Sequence, residues 1–287
     1  MVLVTGATGF IGRSLGRALS HAGAPWRPYS GRMSSAQSLR AELEGVETVI
    51  HLAGAEARGN NRLLQHVDVA GTQRLIEEAR RAGVGRLIVP SRLNADPHAV
   101  QPLLRAKGEV ERLVQRSGIP YTIVRSATLF GRDDRFSEII FSLALWSWPL
   151  AWAPGGGKAP MQPMWVEDYA HCLLRTLDRP ATLDRIVTVA GAERLSYRDI
   201  LLTILRVTER PRILLPLPPK MARRSAAVLL GWWRWPPVSR YFMDRFFMPE
   251  VTDLDAVQRQ FGFQPARFRE TITYLNRGGM RRRLFRK

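Results

Sequence analysis

Cysteine is almost missing from this chain. Cys172 is the only one among 287 residues, which excludes an intramolecular disulfide and a multi-cysteine metal site. The five histidines, His21, His51, His66, His98 and His171, show no metal-ligand spacing. They read as structural or surface residues, and no metal is expected. Acidic residues are also few: 25 stand against 43 basic ones, for a formal net charge of +18. Such a surplus favours an anionic partner. Only four of the basic residues are lysines (Lys107, Lys158, Lys220 and Lys287). The arginine skew has a compositional reading beside the functional one, and it makes each lysine informative. A long hydrophobic run is lacking too. The most apolar stretch, Ile139 to Ala153, is interrupted by Pro149 and too short to span a bilayer; a buried helix is expected there. The chain enters its first strand at residue 1, so no targeting segment is expected ahead of the fold.

What is present begins at once. The apolar run Val2-Leu3-Val4-Thr5 leads into Gly6-Ala7-Thr8-Gly9-Phe10-Ile11-Gly12, and Arg13 to Ala22 reads as a helix. A strand, a glycine-rich turn and a helix in that order form the setting of a dinucleotide fingerprint. Gly6 can take the tight turn, Gly9 leaves the backbone open to a pyrophosphate, and Gly12 lets the helix approach the sheet. The phosphates would rest on amides at the positive end of the helix. The spacing is G-x-x-G-x-x-G, and an ordinary βα turn is the plain alternative.

Cofactor choice is set about 20 residues further on, where an acid accepts the ribose 2′-OH of NAD and arginine accommodates the extra phosphate of NADP. No Asp or Glu precedes Glu42. The stretch instead offers Ser30-Gly31-Arg32, with Ser34 and Ser35 beyond. NADP(H) is therefore preferred over NAD(H), with Arg32 as the phosphate clamp; an exposed, uninvolved Arg32 is the alternative.

Further elements alternate. Strands are expected at Pro25–Ser30 (an edge or an irregularity, because of Pro28), Val46–Leu52, Arg86–Pro90, Tyr121–Arg125 and Arg185–Val189. Helices are expected at Ala36–Leu43, Asn61–Ala82, Val100–Ser117 and Ser196–Val207, the last capped by Ser196. The chain between Ser30 and Val46 is too short for a normal third strand of a 3-2-1-4-5-6 sheet, whose place is at an edge. This is an α/β protein: a Rossmann-like, doubly wound parallel sheet with a small, mostly helical C-terminal lobe. A dinucleotide-binding core over 1–131 and a substrate or partner lobe over 132–287 are expected, with 160–195 returning to the core.

Thr5 to Gly12, Val49-Ile50-His51-Leu52-Ala53-Gly54, Lys107-Gly108-Glu109, Arg125 to Gly131 and Gln162-Pro163-Met164-Trp165-Val166-Glu167-Asp168-Tyr169-Ala170 together resemble the extended and atypical short-chain dehydrogenase/reductase superfamily. The resemblance is specific over 1–131 and 160–205 and is strongest to the branch holding the nucleotide-binding accessory subunit of respiratory complex I. It implies that Thr5, Gly6, Thr8, Gly9, Phe10, Ile11, Gly12, Ser30, Arg32, Leu52, Ala53, Gly54, Ser91 and Lys107 line the cofactor. It also implies a Tyr-x-x-x-Lys pair, in which the lysine lowers the tyrosine pKa and the tyrosine acts as general acid/base. Lys107 fits the lysine position, yet Leu103 stands four residues before it, and no tyrosine in the chain precedes a lysine at that spacing. Ser91 is available as the helper hydroxyl but is followed by Arg92, and Ser126 replaces the proline expected after Arg125. Lys107 and Ser91 remain the catalytic candidates.

The C-terminal part differs in character. Pro154-Gly155-Gly156-Gly157-Lys158 reads as a loop over the cleft. Arg210 to Met243 carries seven basic residues and no acid, interleaved with Trp232, Trp233, Trp235, Tyr241 and Phe242. Arg277, Arg281, Arg282, Arg283, Arg286 and Lys287 close the chain. Tryptophan with arginine suits a lipid headgroup layer, whereas core tryptophans with solvating arginines are the plain alternative. The resulting expectation is an NAD(P)H-binding protein without the standard tyrosine, acting as a structural, assembly or redox-sensing factor. It is expected in the cytoplasm, peripherally at the inner face of a membrane or on a membrane protein complex. Two other readings stay open: an active NAD(P)H-dependent reductase, isomerase or epimerase-like enzyme with another acid/base, and a nucleic-acid-binding protein, which charge alone motivates and no binding module supports.

Overall fold

The computed structural model describes residues 1–56, 60–154, 157–217 and 248–276. The segment 218–247 and the basic tail 277–287 lie outside the described residues, and with them Trp232, Trp233, Trp235, Tyr241 and Phe242. The chain divides into two compact units. One comprises 1–126, 166–189 and 259–262; the other comprises 127–165, 190–258 and 263–287.

In the first unit β1 (Val2–Thr5) runs into α1 (Phe10–His21), and β2 (Trp26–Pro28), α2 (Ala36–Leu43) and β3 (Thr48–His51) follow. Then come α3 (Ala70–Arg81), β4 (Arg86–Arg92), α4 (Pro102–Gln115) and β5 (Tyr121–Ser126). The chain returns with α5 (Val166–Thr176) and β6 (Arg185–Val189). The six strands form one parallel sheet in the order β6-β5-β4-β3-β1-β2. The order reverses between β1 and β3, the switch point at which open α/β sheets bind ligands beside the carboxyl ends of their strands.

Strands β1 and β3 are buried throughout, as both-sides-covered parallel strands require. Leu3, Val49, Leu87, Val89 and Ile123 pack with Leu39 and Leu43 of α2, Leu75 of α3 and Val110 and Val114 of α4. On α1, Gly12, Leu15, Gly16 and Leu19 face inward. Arg17 Nη2 reaches Glu167 Oε1 of α5 at 2.6 Å, and Ser14 donates to the same oxygen at 3.1 Å. The Tyr169 hydroxyl donates to the Val124 carbonyl at 2.9 Å, fixing α5 against β5. Cys172 is buried beside it, and burial pushes its thiol up, away from the reactive thiolate.

As expected, β2 forms the sheet edge and no strand of this sheet lies between Pro28 and Thr48, although β2 is shorter than Pro25–Ser30. Two expectations are corrected. Asn61–Ala82 is not one regular helix: a turn at Asn61–Leu63 passes into a π-helical segment, Leu64–Val69, before α3. The wider turn leaves Val67 and Val69 half-buried and puts Asp68 on the inner face with Leu64 and Thr72. The apolar run Ile139–Ala153 is split into a helix, Ser137–Trp146, and a strand, Leu150–Pro154. Pro149, which cannot donate to a helix, stands between them.

The second unit is built from short strand pairs and helices. Leu129–Phe130 pairs with Met164–Trp165, Pro160–Met161 with Leu195–Ser196, and Leu150–Pro154 with Ile213–Leu217. Its core gathers Phe130, Phe136, Ile140, Met161, Ile200, Ile204, Phe268 and Ile272. The helix Tyr197–Val207 starts at the expected Ser196, which forms a reciprocal capping box with Asp199.

Candidate nucleotide-binding site

All the candidate nucleotide-binding residues belong to the first unit. At the end of β1 the backbone of Gly6 turns to a φ of +67°, and a Cβ there would lie 2.8 Å from Ala53 N. Gly9 caps α1 with extended backbone and no side-chain cap, and the first turn of α1 holds no acid. Gly12 is packed hardest: a Cβ would meet Gly6 O at 2.3 Å and the Ala7 Cα at 2.6 Å. The first intrahelical bond runs from Arg13 N to Gly9 O, so the Phe10, Ile11 and Gly12 amides form the open helix end at which anions bind. Thr8 and Gly9 are exposed and Phe10 and Ile11 half-buried. The Arg13 guanidinium donates to the Thr8 carbonyl at 3.0 Å, closing the turn from outside.

Past β2, Ser30 and Arg32 are exposed. The backbone carbonyl of Arg32 is taken by the Tyr29 hydroxyl and the Ser35 amide, both at 2.9 Å. Ser35 caps α2 by accepting from Ser38 N. This fixes the loop and leaves the Arg32 guanidinium directed to solvent.

The opposite wall is a hydrogen-bonded relay. The Leu52 amide donates to the Thr5 carbonyl at 3.2 Å and the Ala53 amide to Thr5 Oγ1 at 3.1 Å. Thr5 Oγ1 lies 2.7 Å from His51 Nδ1, and His51 Nε2 lies 3.0 Å from Thr72 Oγ1. Since the Thr72 hydroxyl donates to the Asp68 carbonyl, it can only accept from the ring, so Nε2 carries the proton. Burial, helped by the Lys107 charge, lowers the His51 pKa to about 3. The imidazole is a neutral strut.

Asp68 is the hub. Its Oδ2 accepts from the Ala55 amide at 2.7 Å, and its Oδ1 lies 3.2 Å from Lys107 Nζ. Gly54 lies close enough that a Cβ would stand 3.0 Å from the same Oδ1. Burial works against the Lys107 charge, yet the Asp68 and Glu56 carboxylates outweigh it and hold its pKa above the ordinary lysine value. Leu103, one turn earlier on α4, is buried. Beside this pair Arg92 Nη1 meets Glu56 Oε1 at 2.6 Å. Ser91 is buried and its hydroxyl has no partner among the described residues. Arg125 is held by both oxygens of Glu111 and donates to the Ala95 carbonyl at 3.0 Å. The structure thus gathers Thr5, the glycine turn, Leu52, Ala53, Gly54 and Lys107 around the ends of β1 and β3. Sequence reasoning missed Asp68, Thr72 and Glu56. The signal for the first two is Leu64, Asp68, Thr72 and Leu75, an acid and a hydroxyl on an apolar helical stripe.

Residues 26–140 match the NAD(P)H-binding family model. The mitochondrial NADH-ubiquinone oxidoreductase 40 kDa subunit of Neurospora crassa is 26% identical over 235 residues, covering 82% of this chain and 61% of that one. The mitochondrial NADH dehydrogenase (ubiquinone) 1 alpha subcomplex subunit 9 of Mus musculus is 28% identical over 238 residues, covering 75% and 63%. The chain therefore spans about six-tenths of the length of these curated relatives. Among solved structures, the Thermus thermophilus UDP-glucose 4-epimerase complex with NAD superposes with a TM-score of 0.72 at 19% identity, over 97% of this chain and 99% of that one. The chain thus holds a segment that matches the NAD(P)H-binding family model, and its fold is that of the solved epimerase.

Two outcomes follow from the buried wall. Asp68→Asn leaves the Lys107 ammonium without its buried counter-charge and should destabilise the chain by about 3–5 kcal/mol, the cost of removing one partner of a buried pair. Urea denaturation of the variant beside wild type measures it. Because the His51 pKa is depressed from 6.5 to about 3, its contribution is complete above pH 6.5 and is lost as pH falls towards 3. Wild type should lose up to about 1.4 kcal/mol per pH unit from this group in that window. In His51→Gln the stability curve should be flatter over the same range.

Proposed function

We propose that this chain is an NADP(H)-binding structural, assembly or redox-sensing factor at a membrane complex, without conventional keto-reductase activity. The observation that carries the reading is the pairing at positions 103 and 107. A buried leucine occupies the place of the proton-transferring tyrosine, and the lysine that would tune it is engaged by the buried Asp68.

The chain's own geometry fits the nucleotide. The close backbone approaches at Gly6 and Gly12 leave room for no side chain, and the uncapped amide end of α1 suits a pyrophosphate. Thr5, Thr8, Leu52, Ala53 and Gly54 would flank the bound molecule, with Ser91 and Lys107 towards its nicotinamide side. Ser30 and Arg32 would meet a 2′-phosphate, with Arg32 supplying the charge, since the Ser30 hydroxyl donates to Glu42 Oε1 at 3.5 Å. When bound, the nicotinamide supplies a hydride. Neutral, buried His51 and charge-paired Lys107 offer no proton at working pH, so the reading is one of binding without turnover.

The names of the two curated relatives support a place in or beside a respiratory assembly. The net charge of +18 and the arginine- and tryptophan-rich second half support peripheral contact with an anionic membrane surface. Among the described residues no helix is long and apolar enough to cross a membrane.

At equal concentrations NADPH should raise the melting temperature more than NADH does, and Arg32→Ala should remove most of that preference. Equal shifts would overturn the cofactor assignment. NADPH oxidation with a panel of ketones, aldehydes and quinones should stay at background. Turnover of about 1 per second or faster would favour the reductase reading.

A further inference from the structure

The loop after β2, which carries Arg32, is tied down from two sides. On one side the Tyr29 hydroxyl donates to the Arg32 carbonyl at 2.9 Å and lies 3.2 Å from Ser38 Oγ in the first turn of α2. The Tyr29 ring is buried in the core of the first unit, so its hydroxyl acts from a fixed point. Gly31 makes room for this bond, because a Cβ there would collide with Ser38 Oγ and the Tyr29 hydroxyl. On the other side stands Arg74 of α3. Its Nε donates to the Met33 carbonyl at 3.0 Å, and its Nη2 donates at 3.4 Å to the His66 carbonyl in the π-helical turn. The Met33 side chain is half-buried against the same core. Two successive carbonyls, those of Arg32 and Met33, are thus held by side chains anchored elsewhere in the unit, while the Arg32 side chain is exposed.

The surroundings make the placement of that one guanidinium matter. Glu42 Oε1 accepts from the Ser30 hydroxyl at 3.5 Å, and its Oε2 lies 3.9 Å from Arg27 Nε. A 2′-phosphate arriving at this loop meets a carboxylate as well as Arg32, and both effects fall with distance. The backbone position of Arg32 therefore decides how far attraction outweighs repulsion. An uncharged 2′-hydroxyl is much less sensitive to it. A loop already ordered before binding also spares the nucleotide the cost of ordering it.

We propose that Tyr29 and Arg74 are positioning residues for cofactor choice: by holding the Arg32 and Met33 carbonyls they set the Arg32 guanidinium at the 2′-phosphate. This rests on the NADP(H) reading above and names the residues behind the clamp that determine its strength. Both act through Arg32.

Calorimetric titration with NADPH and with NADH tests it on the full chain, on Tyr29→Phe, Arg74→Gln and Arg32→Ala, and on each of the first two combined with Arg32→Ala. Tyr29→Phe keeps the buried ring and removes only the hydroxyl, so it decides the case should Arg74→Gln not fold. Each single variant should bind NADPH about five- to tenfold more weakly, the scale of an ordering cost restored, with NADH binding unchanged. In the Arg32→Ala background neither should add a further loss, since residues acting through one group are not additive. An unchanged NADPH-to-NADH ratio, whether both affinities hold or both fall together, overturns the positioning role and leaves the cofactor reading to Arg32→Ala. A further loss of NADPH affinity on top of Arg32→Ala makes the residue a phosphate contact in its own right and overturns the role too. A wild-type preference for NADPH that survives Arg32→Ala removes the group through which both residues act, and the proposal falls with it. Equal wild-type affinities for the two nucleotides overturn the cofactor reading and the proposal together.

Discussion

The buried carboxylate of Asp68 holds the nucleotide-binding unit together at its most demanding point. One oxygen meets the Lys107 ammonium at 3.2 Å, and the other takes the Ala55 amide at 2.7 Å. Its own carbonyl takes the Thr72 hydroxyl, through which the relay reaches His51 and then Thr5. Three segments therefore meet on Asp68, the loop after β3, the π-helical turn with α3, and α4, and the relay extends from Thr72 to β3 and β1. A buried charge is tolerated only when paired and hydrogen-bonded, and Lys107 and the Ala55 amide meet that condition for the carboxylate. The same arrangement commits Lys107. An ammonium held by Asp68, with Glu56 adding to the attraction, resists deprotonation, so the site has a fixed positive charge.

The glycine turn imposes a second constraint of a different kind. At Gly12 the backbones of strand, turn and helix come together so closely that even a methyl group has no room. That contact brings the amide end of α1 to the carboxyl ends of the strands. Packing and binding thus make the same demand on one residue. The relay behind it needs no titration: His51 is neutral because it is buried, and its single proton is directed by the Thr72 hydroxyl.

Much of this was legible in the chain. A short apolar, β-branched run next to glycines and then a helix predicts the β1–turn–α1 unit, and the alternation of strands and helices that follows predicts the parallel sheet. Pro28 marked an edge, which β2 is. Ser196 announced a helix start because a hydroxyl three residues before an acid satisfies two amides at once. Helix-period reasoning failed over 61–82, since a π turn adds a residue per turn and changes which side chains face the sheet. Asp68 stands on the apolar stripe of Leu64, Thr72 and Leu75, but its partner Lys107 is 39 residues away and local spacing carries no record of it. The run 139–153 misled for a related reason. Hydrophobicity predicts burial only where something covers it, and Trp152, on the outward side of Leu150–Pro154, is exposed. Arg32 was located from an absence, the lack of any acid before Glu42, and the structure leaves its guanidinium at the surface.

The central claim is that a dinucleotide rests on the amide end of α1. Native mass spectrometry of the purified chain with NADPH tests it most directly, comparing wild type with Gly9→Asp. Gly9 is exposed and a Cβ there meets only Gly6 O, at 3.1 Å, so the variant should fold while setting a carboxylate against the phosphates. One nucleotide adduct per chain on wild type and none on the variant is the predicted result. An adduct that persists on Gly9→Asp, or no adduct on wild type, would contradict the account.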